Sequence, residues 1–204
     1  MTTPTWESYR DSIGDRSGLF SAIADSWAPR HALYPGSYLD LAPSTAIASV
    51  TYLDVDRRAA RYFADDALVE ADLAGRTRPG AGAEVGFVHG DYTGDLDLPE
   101  AGFDLLISLY AGLVWDHCRR YLAPGGLLLA NTSHGDACVA ALDPSLTLVA
   151  AISHRDGDYR LETTGLETYL VPKKPESADA DLIRQRGRGI AYTKSAFAYV
   201  FALV

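Results

Sequence analysis

The residues able to move a proton or hold a polar ligand cluster in two stretches. Thr132-Ser-His-Gly-Asp136 sets a histidine two residues from a carboxylate, and Asp116 and His117 stand side by side earlier in the chain. An imidazole titrates near neutrality and is the commonest general base, which a nearby carboxylate can orient. The plainer role for such a pair at a helix start is capping. The second stretch runs from His31-Ala-Leu-Tyr-Pro-Gly-Ser37 to Val50-Thr-Tyr-Leu-Asp-Val-Asp56. A glycine where a strand gives way to a turn lets backbone approach a ligand, and an acid about 20 residues on can accept from a ribose hydroxyl. Gly36 and Asp54 have nearly that separation, with Tyr38 where a second glycine would stand.

Other chemistries find little support. The histidines at 31, 89, 117, 134 and 154 show no helical pairing and no cysteine partners, so no metal site is expected. Cys118 and Cys138 are too few for a disulfide framework and read as buried thiols. Neither a phosphate loop of the Gly-x-x-x-x-Gly-Lys type nor a Gly-x-Ser-x-Gly elbow occurs. A net charge of -9 repels phosphate backbones and anionic lipid, which points to a small-molecule substrate rather than nucleic acid or membrane. Against that balance, Arg184-Gln-Arg-Gly-Arg188 with Lys173 and Lys174 forms a basic loop, read first as solvated surface and second as recognition of an anion. Lacking a leader-like start or an apolar run long enough to span a bilayer, the chain is expected to be cytoplasmic.

The elements that position these residues follow from periodicity. Trp6, Tyr9, Ile13, Leu19, Phe20, Ile23 and Trp27 suit short amphipathic helices interrupted near Gly14 and Gly18, a cap segment over 1–29 read first as packing on the sheet edge and second as a lid over a pocket. Residues 30–204 then read as an α/β domain, the whole chain forming one structural domain. A short crossover begins near Pro43, Asp56 caps a helix whose apolar face runs to Ala67, and residues 73–86 form a variable surface loop. Leu105-Leu-Ile-Ser-Leu109 and Gly126-Leu-Leu-Leu-Ala130 are continuous apolar runs, as strands buried on both faces require. A helix over 110–122, ended by Pro124-Gly-Gly, joins them; Asp136 caps the next helix; the finish is a hairpin around Asp156-Gly-Asp and a last apolar strand over 195–204.

Over roughly residues 30–204 this order resembles the class I S-adenosylmethionine-dependent methyltransferases. The likeness is carried by the strand end at Asp54, Gly90-Asp91-Tyr92, Leu98-Pro-Glu-Ala-Gly-Phe-Asp-Leu-Leu-Ile-Ser108 and Arg120-Tyr-Leu-Ala-Pro-Gly-Gly-Leu-Leu-Leu129. The resemblance implies a Rossmann-like, doubly wound, mostly parallel sheet with antiparallel C-terminal edge strands. It implies S-adenosylmethionine as cofactor and a small molecule as methyl acceptor. Carried over position by position, it assigns cofactor contacts to Tyr34, Gly36 and Ser37, to Asp54 and Val55 at the ribose, to Asp91 and Tyr92 at the adenine, and to Ser108. It puts Tyr110, His134 and Asp136 on the catalytic side. The family's first motif is an acid, one residue, then Gly-x-Gly; here Tyr34 replaces the acid and Tyr38 the second glycine. A phenol can accept from an ammonium but brings no charge, and Tyr38 adds bulk. Those departures keep two alternatives in view, a methyltransferase-like binding module without transfer activity and, more remotely, a nicotinamide-dependent oxidoreductase.

Overall fold

A computed structural model describes residues 4–204 of the protein. These divide into two compact units, one up to Asp97 and the other Leu98–Val204, each with its own core.

In the first unit, α1 (Trp6–Ile13) opens with a capping box in which Thr5 and Ser8 satisfy each other's backbone amides. Gly14, at φ 83, separates it from α2 (Ser17–Trp27). The break expected near Gly18 is absent, and Gly18 lies inside α2. Trp6, Leu19, Phe20 and Ile23 are buried, so this segment is part of the unit's core. Strand β1 (His31–Pro35) runs parallel to β2 (Ser49–Asp54), and the short 3-10 turn Ala42–Thr45, carrying Pro43, serves as the crossover. Asp56 caps α3 (Arg57–Phe63) by accepting from the Arg58 amide at 2.7 Å. That helix stops short of Ala67, because the Asp65 carboxylate accepts from the Leu68 amide and starts α4 (Asp66–Leu73) instead. Strand β3 (Glu84–His89) pairs parallel with β2, giving the order β3-β2-β1. The connection before β3 is pinned rather than loose. The Arg78 and Gly82 amides donate to the Thr45 and Ile47 carbonyls at 2.9 and 2.8 Å, and a Cβ on Gly82 would stand 2.9 Å from the Ser44 carbonyl oxygen.

In the second unit, β4 (Phe103–Ser108) and β5 (Leu122–Ala130) are parallel neighbours, joined through α5 (Val114–Cys118) and the 3-10 turn Arg119–Tyr121. The expected helix over 110–122 is therefore shorter. Pro124-Gly-Gly lies inside β5 rather than ending a helix: Leu122 already pairs with Phe103, and the register shifts where the glycines bulge. After α6 (Asp136–Ala140), β6 (Leu146–Arg155) and β7 (Asp158–Glu162) form the expected hairpin. Its turn residues Asp156 and Gly157 both have positive φ, the geometry that matches strand twist. The basic stretch is not a loop throughout, since Arg184 and Arg186 form the last turn of α7 (Ala180–Arg186). Strand β8 (Ala198–Leu203) inserts antiparallel between β5 and β6, with Val200 opposite Leu129, giving the order β4-β5-β8-β6-β7. Parallel strands with helical crossovers, then an antiparallel finish, constitute the Rossmann-like α/β fold that the sequence leads one to expect. No helix among the described residues is long and apolar enough to cross a membrane.

One carboxylate ties α1 and α3 to α4: Asp72 Oδ2 accepts from the Trp6 amide at 3.0 Å and the Tyr62 hydroxyl at 2.6 Å. Asp72→Ala leaves both donors without that acceptor, and urea unfolding should show a loss of about 1–3 kcal/mol.

Candidate functional site

At the carboxyl end of β1 the backbone turns sharply through Gly36, at φ 66, whose amide donates to the Leu53 carbonyl at 2.7 Å. Asp54, ending β2, spans the two loops. Its Oδ2 accepts from the Tyr38 amide at 2.7 Å and its Oδ1 from the Asp56 amide at 2.8 Å. A carboxylate has about four acceptor positions, so each oxygen retains a lone pair for a further donor. Val55, the next residue, is 61% exposed, unusual for a branched apolar side chain beside a carboxylate. Ser37 is buried, and its hydroxyl has no hydrogen-bond partner. Tyr34, Gly36, Ser37, Asp54 and Val55 thus belong to one pair of adjoining loops. Asp91 follows β3, which is held beside β2 by the Gly90 amide donating to the Asp54 carbonyl at 3.1 Å. The Asp91 carboxylate accepts from the Thr93 amide and hydroxyl at 2.9 and 2.8 Å, a turn-forming role next to Tyr92.

The two tyrosine departures have physical explanations. Tyr34 is fully buried and its hydroxyl donates to Asp40 Oδ2 at 3.2 Å, while Arg16 Nη1 lies 2.9 Å from the same oxygen. An acid at position 34 would set two carboxylates together in the core, so a neutral donor suits the position. Burial pushes the Asp40 carboxyl above its usual range, with Arg16 pulling against that rise. Tyr38 adopts φ 46, its ring meeting Tyr9 edge-on at 4.9 Å with the Arg58 guanidinium carbon 5.3 Å from its centre. Arg16 and Asp40 carried no signal in the sequence: one lies between two helices, the other in a loop, and only packing pairs them.

In the second unit, Asp136 does not cap its own helix, whose cap is Gly135. It is buried and caps α5, accepting from the Trp115 amide at 3.2 Å, with further hydrogen bonds from Ser108 and the Val114 amide. Burial pushes its carboxyl up to about 7, helped by the charge of Asp116 and opposed by those hydrogen bonds. Ser108 and Asp136 are therefore brought together under the surface, whereas His134 stands exposed in the loop above α6. Asn131 and Ser133, which the sequence did not single out, orient that histidine. Asn131 Oδ1 accepts from the Ser133 hydroxyl at 2.8 Å, which commits the only hydroxyl proton. Toward His134 Nδ1, 3.0 Å away, the Ser133 oxygen can then only accept. With the proton on Nδ1, the tautomer that this contact accommodates, Nε2 keeps the lone pair of a general base. Tyr110 is 48% exposed at φ 60, a strained conformation for a bulky residue, with its ring 6.3 Å from that of Phe197. Among the described residues no group of three or more His, Cys, Asp or Glu side chains could hold a metal ion.

No family model matches the chain, and no curated protein matches it. Solved structures do resemble it. A putative O-methyltransferase from Klebsiella pneumoniae is 15% identical, with a TM-score of 0.49 over 73% of this chain and 78% of that one. The O-methyltransferase from Bacillus cereus in complex with SAH is 12% identical, with a TM-score of 0.49 over 72% of this chain and 78% of that one. The Burkholderia thailandensis 1,6-didemethyltoxoflavin-N1-methyltransferase, solved with 1,6-didemethyltoxoflavin and S-adenosylhomocysteine, is 16% identical, with a TM-score of 0.44 over 98% and 84% of the two chains.

The buried Asp136 makes stability depend on pH in a definite direction. Its folded value of about 7 lies above the ordinary 3.8, so between those values the folded state holds a proton that the unfolded chain has lost. Stability from this group is greatest below about pH 4, falls by up to about 1.4 kcal/mol per unit as pH rises, and levels off above about pH 7. Urea unfolding between pH 4.5 and 7 should show that Asp136→Asn has a shallower decline than the wild type.

Proposed function

We propose that the protein transfers a methyl group from S-adenosylmethionine to a small molecule. The observation that carries this reading is the end of β2, where the Asp54 carboxylate keeps lone pairs beside an exposed Val55. Such a pair suits a nucleoside, with ribose hydroxyls donating to the acid and the base lying on the valine. Two further features fit the group: the Gly36 turn, where backbone can come close, and the buried Ser37 hydroxyl, which has yet to find a partner. The sequence resemblance stands behind the same assignment.

When bound, S-adenosylmethionine supplies an electrophilic methyl on a sulfonium. The chain's own residues supply position and proton transfer. Asp54 and Val55 hold the nucleoside, and the loop through Gly36 and Ser37, tied to β2 by the Gly36 amide, borders it. His134 takes the acceptor's proton at Nε2, while Ser133 and Asn131 fix its tautomer and direction as positioning residues. Asp136 fixes the start of α5 and, through Ser108, the end of β4. The second reading, a module that binds without transferring, is favoured by Tyr34, whose hydroxyl is committed to Asp40 and so does not replace the charge of the family's acid.

Calorimetric titration should detect both S-adenosylmethionine and S-adenosylhomocysteine. Val55→Asp, at an exposed position, should weaken both about tenfold or more, roughly 1.4 kcal/mol, without moving the unfolding midpoint. With any acceptor that turns over, His134→Ala should lose about two to four orders of magnitude in rate while S-adenosylhomocysteine affinity holds. No heat and no thermal shift with either ligand at millimolar concentration would shift the assignment to the binding module.

A further inference from the structure

The second unit carries a cleft that methyl transfer does not account for. It encloses about 450 Å³ between residues 173–177 and 186–191. Lys173, Lys174, Arg186 and Arg188 line it with Ser177, and no carboxylate does. Ile190 and Ala191 supply an apolar part of the wall. A volume of this size is in the range of small-molecule sites.

The backbone under these cations is fixed. Pro172 bridges to Tyr192, the Lys173 amide donates to the Ala191 carbonyl at 2.9 Å, and the Thr193 amide donates to the Val171 carbonyl at 2.9 Å. The Ser177 hydroxyl donates to the Lys174 carbonyl at 2.6 Å. On the other side a Cβ at Gly189 would collide with the Thr132 carbonyl oxygen, and one at Gly135 would stand 3.3 Å from the Arg188 carbonyl. The segment bearing Arg188 is therefore wedged against the loop that carries His134.

The charges are unusual in company. Neighbouring cations have found carboxylates: Arg184 makes a two-pronged pair with Asp116 at 2.8 and 2.9 Å, and Lys194 lies 3.4 Å from Glu162. Among the described residues, none of the four cleft cations is paired with a carboxylate. In a chain of net charge -9, four uncompensated positive groups around one concavity repel each other, and an anion in their midst relieves that repulsion.

We propose that this cleft binds the phosphate group of a phosphorylated small molecule. Phosphate suits it better than carboxylate because donors approach from two sides, and phosphate offers oxygens in three directions while a carboxylate offers two in one plane. A nucleic acid suits it less, since the rest of a -9 chain repels an extended polyanion. The inference is independent of the methyl-transfer reading: its ligand groups are other residues, and it needs no cofactor.

The test is calorimetric titration of the intact protein with pyrophosphate, citrate and a single-stranded 12-mer oligonucleotide, in low and in moderate salt. Pyrophosphate should bind below about 1 mM, weaken as salt rises, and lose about tenfold or more in the double variant Lys173→Gln, Arg188→Gln. Arg155→Gln, outside the cleft, should leave it unchanged. All three side chains are exposed, and an unchanged unfolding midpoint confirms that the variants fold. Titrating S-adenosylhomocysteine into the same double variant separates this site from the nucleoside site, where affinity should hold. Absence of pyrophosphate binding at about 10 mM, or equal loss in Arg155→Gln, would overturn the proposal. So would tighter binding of citrate, which assigns the cleft to carboxylates, or of the oligonucleotide, which assigns it to nucleic acid.

Discussion

A charged pair in the core of the first unit sets the terms for what surrounds it. Arg16 and Asp40 are both nearly inaccessible, and removing either leaves an uncompensated buried charge, a change that typically costs about 3–5 kcal/mol. The pair joins the start of α2 to the loop after β1, and Tyr34 contributes a hydroxyl from the strand itself. Asp40 also accepts from the Ala42 amide at 3.2 Å, so the same carboxylate fixes the beginning of the 3-10 crossover. Because that crossover is only a turn long, β2 must follow at once, and Asp54 arrives where it can hold the Tyr38 amide of the loop that Asp40 has already anchored. The N-terminal helices are thus a structural part of the first unit's core and of the loop after β1.

The second unit uses a buried carboxyl differently. Among the described residues no cation pairs with Asp136; hydrogen bonds from Ser108 and the first amides of α5 are its compensation. A neutral acid can satisfy that arrangement with one fewer acceptor position, which is why burial wins and the proton is retained toward neutrality. The residue with a perturbed proton affinity is thus enclosed, while His134 is exposed and in contact with Ser133, which Asn131 holds. Asn131 also keeps a buried amide nitrogen without a hydrogen-bond partner, so the loop after β5 is polar and incompletely satisfied at the place where the unit presents its histidine.

How much of this was legible depended on the range of the interaction. The succession of strands, the crossover at Pro43, the Asp56 cap, the Asp156-Gly157 hairpin and the antiparallel finish all follow from local rules, namely alternation, apolar runs, caps and positive φ, whereas strand bounds follow less closely, β3 beginning at Glu84 inside the expected loop and β5 at Leu122 ahead of the glycines. Local rules also misled. Ala67 looked like a continuation of α3, but Asp65 restarted the helix; Pro124-Gly-Gly looked like a stop, but lay within β5; Asp136 looked like the cap of the helix it begins, but caps another. In the first and last cases a side chain's partner decided the outcome, in the second the pairing of Leu122 with Phe103, and sequence proximity decides neither.

The sequence by itself determined the succession of elements, the acidic balance, and the positions of Gly36, Asp54 and His134 at strand ends, because those depend on residue types and spacings of a few positions. The tertiary structure alone decided that Arg16 pairs with Asp40, that Tyr34 is spent inside the core, that Asn131 holds the serine in contact with His134, and that four basic residues from two segments line one cleft. Those outcomes turn on which charges and donors meet after burial has removed water as the alternative partner, and the meeting partners are separated along the chain by distances over which residue spacing carries no information.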